Sequence, residues 1–374
     1  MKKVITNCII LALFLVHGSY ALTIVDSAGN VIEIEKAERI VCLNGDCLEA
    51  LIMLGAKDKI VGLGSYALQK PYAPKVPDVG KWSDPNVEAI INLTPDIVIT
   101  YVQWPERAKL EDKLNGTGIK VVRLDFYKIG TIFDEFITLG KILGKEERAR
   151  DLAEYWRSKL DLIKERVGKV EKKARVYWES YTDYSAAGNG TGWNDVLILA
   201  GGSNVVSDSG YPKINAETII EKNPDVFIKS VSSTVFKPYT DDVTKLRDFY
   251  NKLKSRPEIG QIAAGKNERV YVVCSDMLHG TFGLVAETAY AAKILYPPMF
   301  KDLKPEELHR EYIQSLGLNY TGTWVYPQIP AWQFYDEDYN GKIQTRELII
   351  AIRDWLDNKI VTRDLIVVIQ KWLT

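Results

Sequence analysis

One fourteen-residue segment occurs twice in this chain of 374 residues, and it constrains the fold more than any other feature. Asn86-Val87-Glu88-Ala89-Ile90-Ile91-Asn92-Leu93-Thr94-Pro95-Asp96-Ile97-Val98-Ile99 returns 129 positions later, at 215–228, with seven of the fourteen residues unchanged. Each copy reads as an Asn helix cap, a short helix, a Pro-Asp turn and a buried β-branched strand. The flanks agree in style. Segments 39–43 and 175–178 read as strands, and 48–55 and 196–202 as helices closed by Gly. Strands alternating with helices imply parallel sheets covered on both faces. The expected fold class is α/β, with two similar Rossmann-like lobes at about 40–130 and 173–296. Between them, 132–167 reads as helix with one loop-like break at Gly140 and Gly144, a stiff spine rather than a floppy hinge.

The start of the chain reads as a secretory signal. Lys2 and Lys3 precede an apolar run at 9–16, and Ser19 and Ala21 are small. A run of about eight residues is too short to span a bilayer comfortably. Cys8 lies early in the run, so no lipoprotein box is evident, and a secreted or extracytoplasmic, surface-associated protein is expected. The expected boundaries are signal 1–21, first lobe 22–130, linking helix 131–170, second lobe and tail 171–330, and a C-terminal module 331–374. Lys+Arg (48) balances Asp+Glu (49), which argues against nucleic acid as a partner. Cys42, Cys47 and Cys274 read as buried free thiols, with a Cys42–Cys47 bridge left open. No His-Glu-x-x-His or Gly-x-Ser-x-Gly occurs. The phosphate-loop-like 260–267 ends in Asn267 and precedes a strand, so it reads as a turn, and no enzymatic activity is expected.

A second duplication closes the chain. Residues 342–356 return 17 positions later, at 359–373, with nine of fifteen unchanged. Each copy reads as an amphipathic helix. Leu348, Ile352, Trp355 and Leu356 form one stripe and Leu365, Ile369, Trp372 and Leu373 the other, and the two are expected to bury each other. Before the first copy, 336–347 matches a twelve-residue calcium loop. Asp336, Asp338 and Asn340 offer side-chain oxygens at positions 1, 3 and 5, and Gly341 supplies the sharp turn. Lys342 offers its carbonyl, Gln344 acts through water, and Glu347 can bind with both oxygens. In the second copy Arg353, Trp355 and Asp357 take the first three ligand places, so it should bind nothing. The module resembles a dockerin with an EF-hand-like calcium loop. That resemblance implies a cohesin-like partner, although the 17-residue repeat is shorter than a dockerin's.

Trp (9) and Tyr (20) outnumber Phe (10), and aromatics with a polar handle favour the half-wet walls of clefts. Arg39-Ile40-Val41, Leu54-Gly55-Ala56, Ile60-Val61-Gly62, Val79-Gly80, Pro85-Asn86-Val87-Glu88 and Pro95-Asp96-Ile97-Val98-Ile99 resemble one family over about 23–326. It is the solute-binding proteins of ABC importers for ferric siderophores, haem and cobalamin. The resemblance implies two lobes on one long helix, a metal chelate captured in the cleft, and delivery to a membrane permease. It also implies that Glu88 and Glu217, equivalent under the 129-residue repeat, pair with permease arginines. Compared with the cobalamin-binding members, Tyr66, Trp82 and Tyr101 match aromatic contacts to the corrinoid, as does Tyr211 in the second lobe. Tyr184 matches loosely, and Asp276 matches a polar contact. A basic residue expected after Asp276 is absent, with Gly280 and Thr281 there instead. The alternative is an extracellular interaction protein that attaches to a partner through its calcium module.

Overall fold

The computed structural model describes residues 21–236, 240, 242–275 and 280–374. The expected signal segment lies outside the described residues except for residue 21, and Asp276 lies outside them too. The first lobe is a four-stranded parallel sheet in the order Ile60–Leu63, Ile40–Cys42, Ile97–Thr100, Lys120–Arg123. In the second lobe Ser203–Asn204, Arg175–Glu179, Val226–Val231 and Val270–Cys274 run parallel, and Val325–Tyr326 closes the edge antiparallel. Central strands are buried at every position, which is why Ile97-Val98-Ile99 and Val226-Phe227-Ile228 read as continuous apolar runs rather than alternating ones. An N-terminal hairpin pairs Leu22–Val25 with Val31–Ile34.

The long repeat recurs as geometry. Asn86 and Asn215 cap the helices Val87–Asn92 and Ala216–Lys222, each accepting the backbone N–H three residues on, at 3.0 and 2.8 Å. The helices end on the equivalent Thr94 and Asn223, with φ of 44° and 41°. Arg39 and Arg175, at the N-terminal ends of neighbouring strands, then donate to the last helix carbonyls, Leu93 and Thr94 in one lobe and Lys222 and Asn223 in the other. Asp96 and Asp225 each accept the backbone N–H of that same arginine at 2.9 Å. The repeated Pro-Asp thus closes a helix whose final carbonyls would otherwise lack partners.

The link is two helices, Ile132–Ile142 and Glu146–Val167, turned at Gly144 with φ of 65°. Gly140 is not part of the break. It lies within the first helix, where an added Cβ would come 2.3 Å from the Ala149 Cβ, so the helices pack closely there. The longer helix is tied at both ends. Lys145 Nζ caps the Leu54 and Gly55 carbonyls of the first lobe at 2.9 and 2.8 Å, and Arg166 pairs with Asp302 beside the second at 2.6 Å. Trp156 and Phe136 meet Phe282 at 5.8 and 4.7 Å, so one core runs through the junction. Buried Glu49 accepts the hydroxyls of Tyr72 and Tyr312, and Thr281 N–H donates to Phe126 O at 2.7 Å across the lobes.

The segment 260–267 is the tail of one short helix followed by another, Ala263–Lys266, rather than a turn. Gly265 is required there, since a Cβ would sit 1.7 Å from Ile259 O.

The C-terminal helices Thr345–Leu356 and Thr362–Trp372 share a small core with the turn Ala331–Phe334. The expected stripes are corrected. Leu348, Ala351, Leu365 and Val368 are buried, whereas Trp355, Leu356, Trp372 and Leu373 are exposed. Trp332 and Tyr335 from the preceding turn fill the place opposite the helices, and the Trp-Leu pairs sit at the helix ends beyond it. The unit docks on the second lobe. Gln333 accepts the Tyr271 hydroxyl at 2.7 Å, Lys301 lies 3.8 Å from the Tyr335 ring, and Arg269 lies 5.7 Å from that of Tyr339. Among the described residues no helix is long and apolar enough to cross a membrane.

Candidate functional site

In a parallel sheet the loops leaving the C-terminal strand ends form the natural crevice. Here both lobes aim those loops at one cavity of about 200 Å³. Gly45 and Asp46 follow the strand Ile40–Cys42, Tyr66 and Lys70 follow Ile60–Leu63, and Tyr101 follows Ile97–Thr100. The second lobe supplies Tyr181 after Arg175–Glu179, then Trp193 and Tyr211. The walls are therefore mostly aromatic. Tyr181 and Trp193 meet edge to face at 5.0 Å, and Trp193 and Tyr211 at 5.9 Å. On the other side Tyr101 meets Tyr127 at 5.7 Å and Trp82 at 5.8 Å, and Trp82 meets Trp104 at 6.3 Å.

Three of the expected aromatics, Tyr66, Tyr101 and Tyr211, line this cavity. Trp82 stands beside it against Tyr101, on the short hairpin Gly80–Lys81 and Asp84–Pro85. Tyr184 is elsewhere. Its hydroxyl donates to Glu258 at 2.9 Å and Arg256 covers its ring at 4.8 Å, so it belongs to a polar cluster of the second lobe. Its backbone is left-handed, with φ of 59°. Asp276 lies outside the described residues. Sequence reasoning missed Asp46, Lys70, Tyr127, Tyr181 and Trp193. Each follows a strand or opens the helix after one, and that position was the available signal.

Electrostatics favour neutral phenols. Burial, and next the Asp46 charge, hold the Tyr101 phenol well above its ordinary range, and its hydroxyl donates to Asp46 Oδ2 at 3.0 Å. Burial, then Tyr127 across the cleft and Glu287, raise Tyr211. Lys70 Nζ lies 5.2 Å from the Tyr66 ring. Beneath the cavity Cys42 and Cys47 form a disulfide across the strand-to-helix turn, with Cα atoms 6.1 Å apart. This corrects the expectation of free thiols there, because the tight turn at the Asn44 cap brings the two together. Cys274 is buried and takes no part in that disulfide.

Glu88 and Glu217 are both exposed in first helical turns. Each helix runs back antiparallel to the strand that follows it, so its N-terminus lies at the cleft end of its lobe.

In the C-terminal loop the carboxylates of Asp336, Asp338 and Glu347 converge within 4.8 Å. Asp336 accepts Gly341 N–H at 2.9 Å and Asn340 N–H at 3.0 Å, and burial pushes its carboxyl up to about 6. Gln344 is the helix cap, shares a capping box with Glu347, and donates to Asp338 at 2.8 Å. Lys342 is exposed and its N–H donates to Asn340 Oδ1 at 2.8 Å. Gly341, at φ 79°, has Asn267 Oδ1 2.4 Å from where a Cβ would stand, so the loop turns directly against the second lobe.

A family model described as periplasmic binding protein matches residues 40–277. The chain is 28% identical over 224 residues to the cobalamin-binding protein of Halobacterium salinarum, which covers 58% of this chain and 60% of that protein. It is 26% identical over 200 residues to the vitamin B12-binding protein of Yersinia pestis, covering 52% of this chain and 70% of that protein. The chain thus spans less than two thirds of the Halobacterium relative. Among solved structures, the TroA-like periplasmic binding protein FepB of Veillonella parvula superposes with a TM-score of 0.70 at 26% identity, covering 81% of this chain and 98% of that one. The duplicated lobes, the helical link and the matched 238 residues lead to one assignment: this chain belongs to the periplasmic binding protein family.

Proposed function

We propose that this protein is the extracytoplasmic solute-binding protein of an ABC importer, and that it captures a metal chelate of the corrinoid, haem or siderophore kind between its lobes. The observation that carries this reading is a cavity walled by tyrosine and tryptophan from both lobes. Flat aromatic faces suit a planar macrocycle. A cavity of about 200 Å³ takes one edge of such a ligand, and the exposed rings of Trp82, Trp104 and Tyr211 extend the wall beyond it. The two cobalamin-binding relatives favour a corrinoid. Glu88 and Glu217 are the docking charges, placed at matched exposed points for basic residues of the permease. Titration with aquocobalamin, haemin and ferric siderophores, read by absorbance, tests the reading; no spectral change with any of them would sink it. Reversing both Glu88 and Glu217 to Arg should leave chelate binding intact and abolish importer stimulation. Surviving transport would remove the docking role.

Calcium is the ion that the C-terminal loop fits. Asp336, Asp338, Asn340, the Lys342 carbonyl, Gln344 and Glu347 would hold it, all hard oxygen donors. Two of these carboxylates, Asp336 and Glu347, are buried and converge with Asp338 within 4.8 Å, which supports this reading. A second reading, attachment to a cohesin-like partner through this dockerin-like unit, is favoured by repeat-related exposed pairs, Trp355 with Trp372 and Leu356 with Leu373. Chelation by EGTA should lower the melting temperature of the full chain. No shift would count against calcium.

A further inference from the structure

The cleft receives two helix N-termini, one from each lobe. Gly45–Met53 is capped by Asn44 and Gly192–Leu199 by Thr191, and each follows the first strand of its lobe's sheet. Helix starts ordinarily attract anions, through unpaired N–H groups and the macrodipole. Here the second residue of each helix faces the cavity. In the second lobe it is Trp193, and in the first it is Asp46. The first helix thus places its own carboxylate where an anionic ligand would sit.

Asp46 is fixed from several sides. Tyr101 donates to its Oδ2 at 3.0 Å, and its backbone carbonyl accepts the Thr281 hydroxyl at 3.0 Å from the second lobe. Gly280 comes so near that an added Cβ would stand 2.1 Å from Oδ1. The Tyr101 hydroxyl and the Gly280 backbone thus hold the carboxylate at the cavity wall. Among the described residues one cation, Lys70, lines the same cavity, over the Tyr66 ring, while Lys128 is held by Asp125 at 2.6 Å.

We propose that Asp46 sets the charge selectivity of the cleft, admitting chelates whose edge presents amide or other hydrogen-bond donors and rejecting polyanionic ones. This rests on the chelate-receptor reading above and deepens it. An amide N–H can donate to a carboxylate, whereas a ligand carboxylate set against Asp46 meets repulsion in a partly dry site.

The test compares two corrinoids that share a ring and differ in charge. Dicyanocobinamide carries side-chain amides where dicyanocobyrinic acid carries carboxylates. Both are titrated into the full chain, with haemin as a separate arm. The wild type should bind the amide form at least roughly tenfold more tightly, and Asp46→Asn should shrink that ratio by roughly tenfold. Asp46→Glu should keep the preference, and thermal melts of both variants report that they are folded. Equal binding of the two corrinoids by the wild type overturns the inference, as does an unchanged ratio in Asp46→Asn; either leaves the chelate reading standing. Binding of haemin with neither corrinoid also overturns it and again spares the chelate reading. Binding of none of the three overturns both.

Discussion

The two lobes share a scaffold down to individual hydrogen bonds, yet they present different chemistry to the cleft. Arg39 with Asp96 and Arg175 with Asp225 close equivalent helices and begin equivalent strands at the same 2.9 Å spacing. At the opposite strand ends the lobes diverge. The first offers Asp46, Lys70 and Tyr101, and the second offers Tyr181, Trp193 and Tyr211. Position 100 in the first lobe is a threonine that donates to the Trp104 carbonyl at 2.9 Å. Its repeat partner, Lys229, is fully buried between Glu179 at 3.0 Å and Asp183 at 3.1 Å. Backbone caps at the far ends of the strands fix the scaffold, which leaves the cleft-side loops free to differ.

That contrast can be broken at several points. Lys229→Met leaves buried Glu179 with Arg256 as its remaining cation and should cost about 3–5 kcal/mol in urea unfolding. Thr100→Val, at the matched site, should cost about 1 kcal/mol. Equal costs would erase the distinction. Asp96→Ala and Asp225→Ala remove the shared feature, so each should cost about 1–3 kcal/mol by a similar amount. A large inequality would show that the repeat is not energetically equivalent.

One acid-sensitive group sits in the second lobe, at His309, and the first lobe has no histidine to match it. His309 is buried among Tyr290, Tyr320 and Trp324, neither ring nitrogen has a hydrogen-bond partner among the described residues, and burial lowers it from 6.5 to about 3. Between those values the unfolded chain binds the extra proton, so stability rises with pH. Its contribution is lost as pH falls from about 6.5, on the order of 1–2 kcal/mol by pH 5. His309→Phe should flatten that slope in denaturation curves taken across this range. The smallest effect is expected at Glu88 and Glu217. Both are exposed, so charge reversal should move stability by less than about 0.5 kcal/mol in either lobe.

Much of this was legible because backbone chemistry repeats. An Asn cap, a Pro-Asp turn and a β-branched run have local meanings, and their return 129 residues later implied the second lobe. Tyr66, Tyr101 and Tyr211 could be named because they follow strand ends at positions that a family resemblance marks. Asp46 and Trp193 could not, since one reads as an ordinary first-turn acid and the other as an ordinary core aromatic. Only the facing of two helix starts across the cleft gives them a shared role. Periodicity misled at Trp355 and Trp372, because it cannot show that Trp332 and Tyr335 arrive from outside the helices to fill their core.

The most direct measurement is the dissociation constant for aquocobalamin in the wild type, Tyr66→Ala, Tyr211→Ala and the double variant, read by absorbance. Both rings are about half exposed, at 47% and 54%, so removing them should leave the fold intact. A ligand clasped between the lobes predicts a weakening of roughly fivefold to tenfold for each single variant, about 1 kcal/mol, and a roughly multiplicative loss in the double. Wild-type affinity in both single variants, or no binding by the wild type, would contradict it.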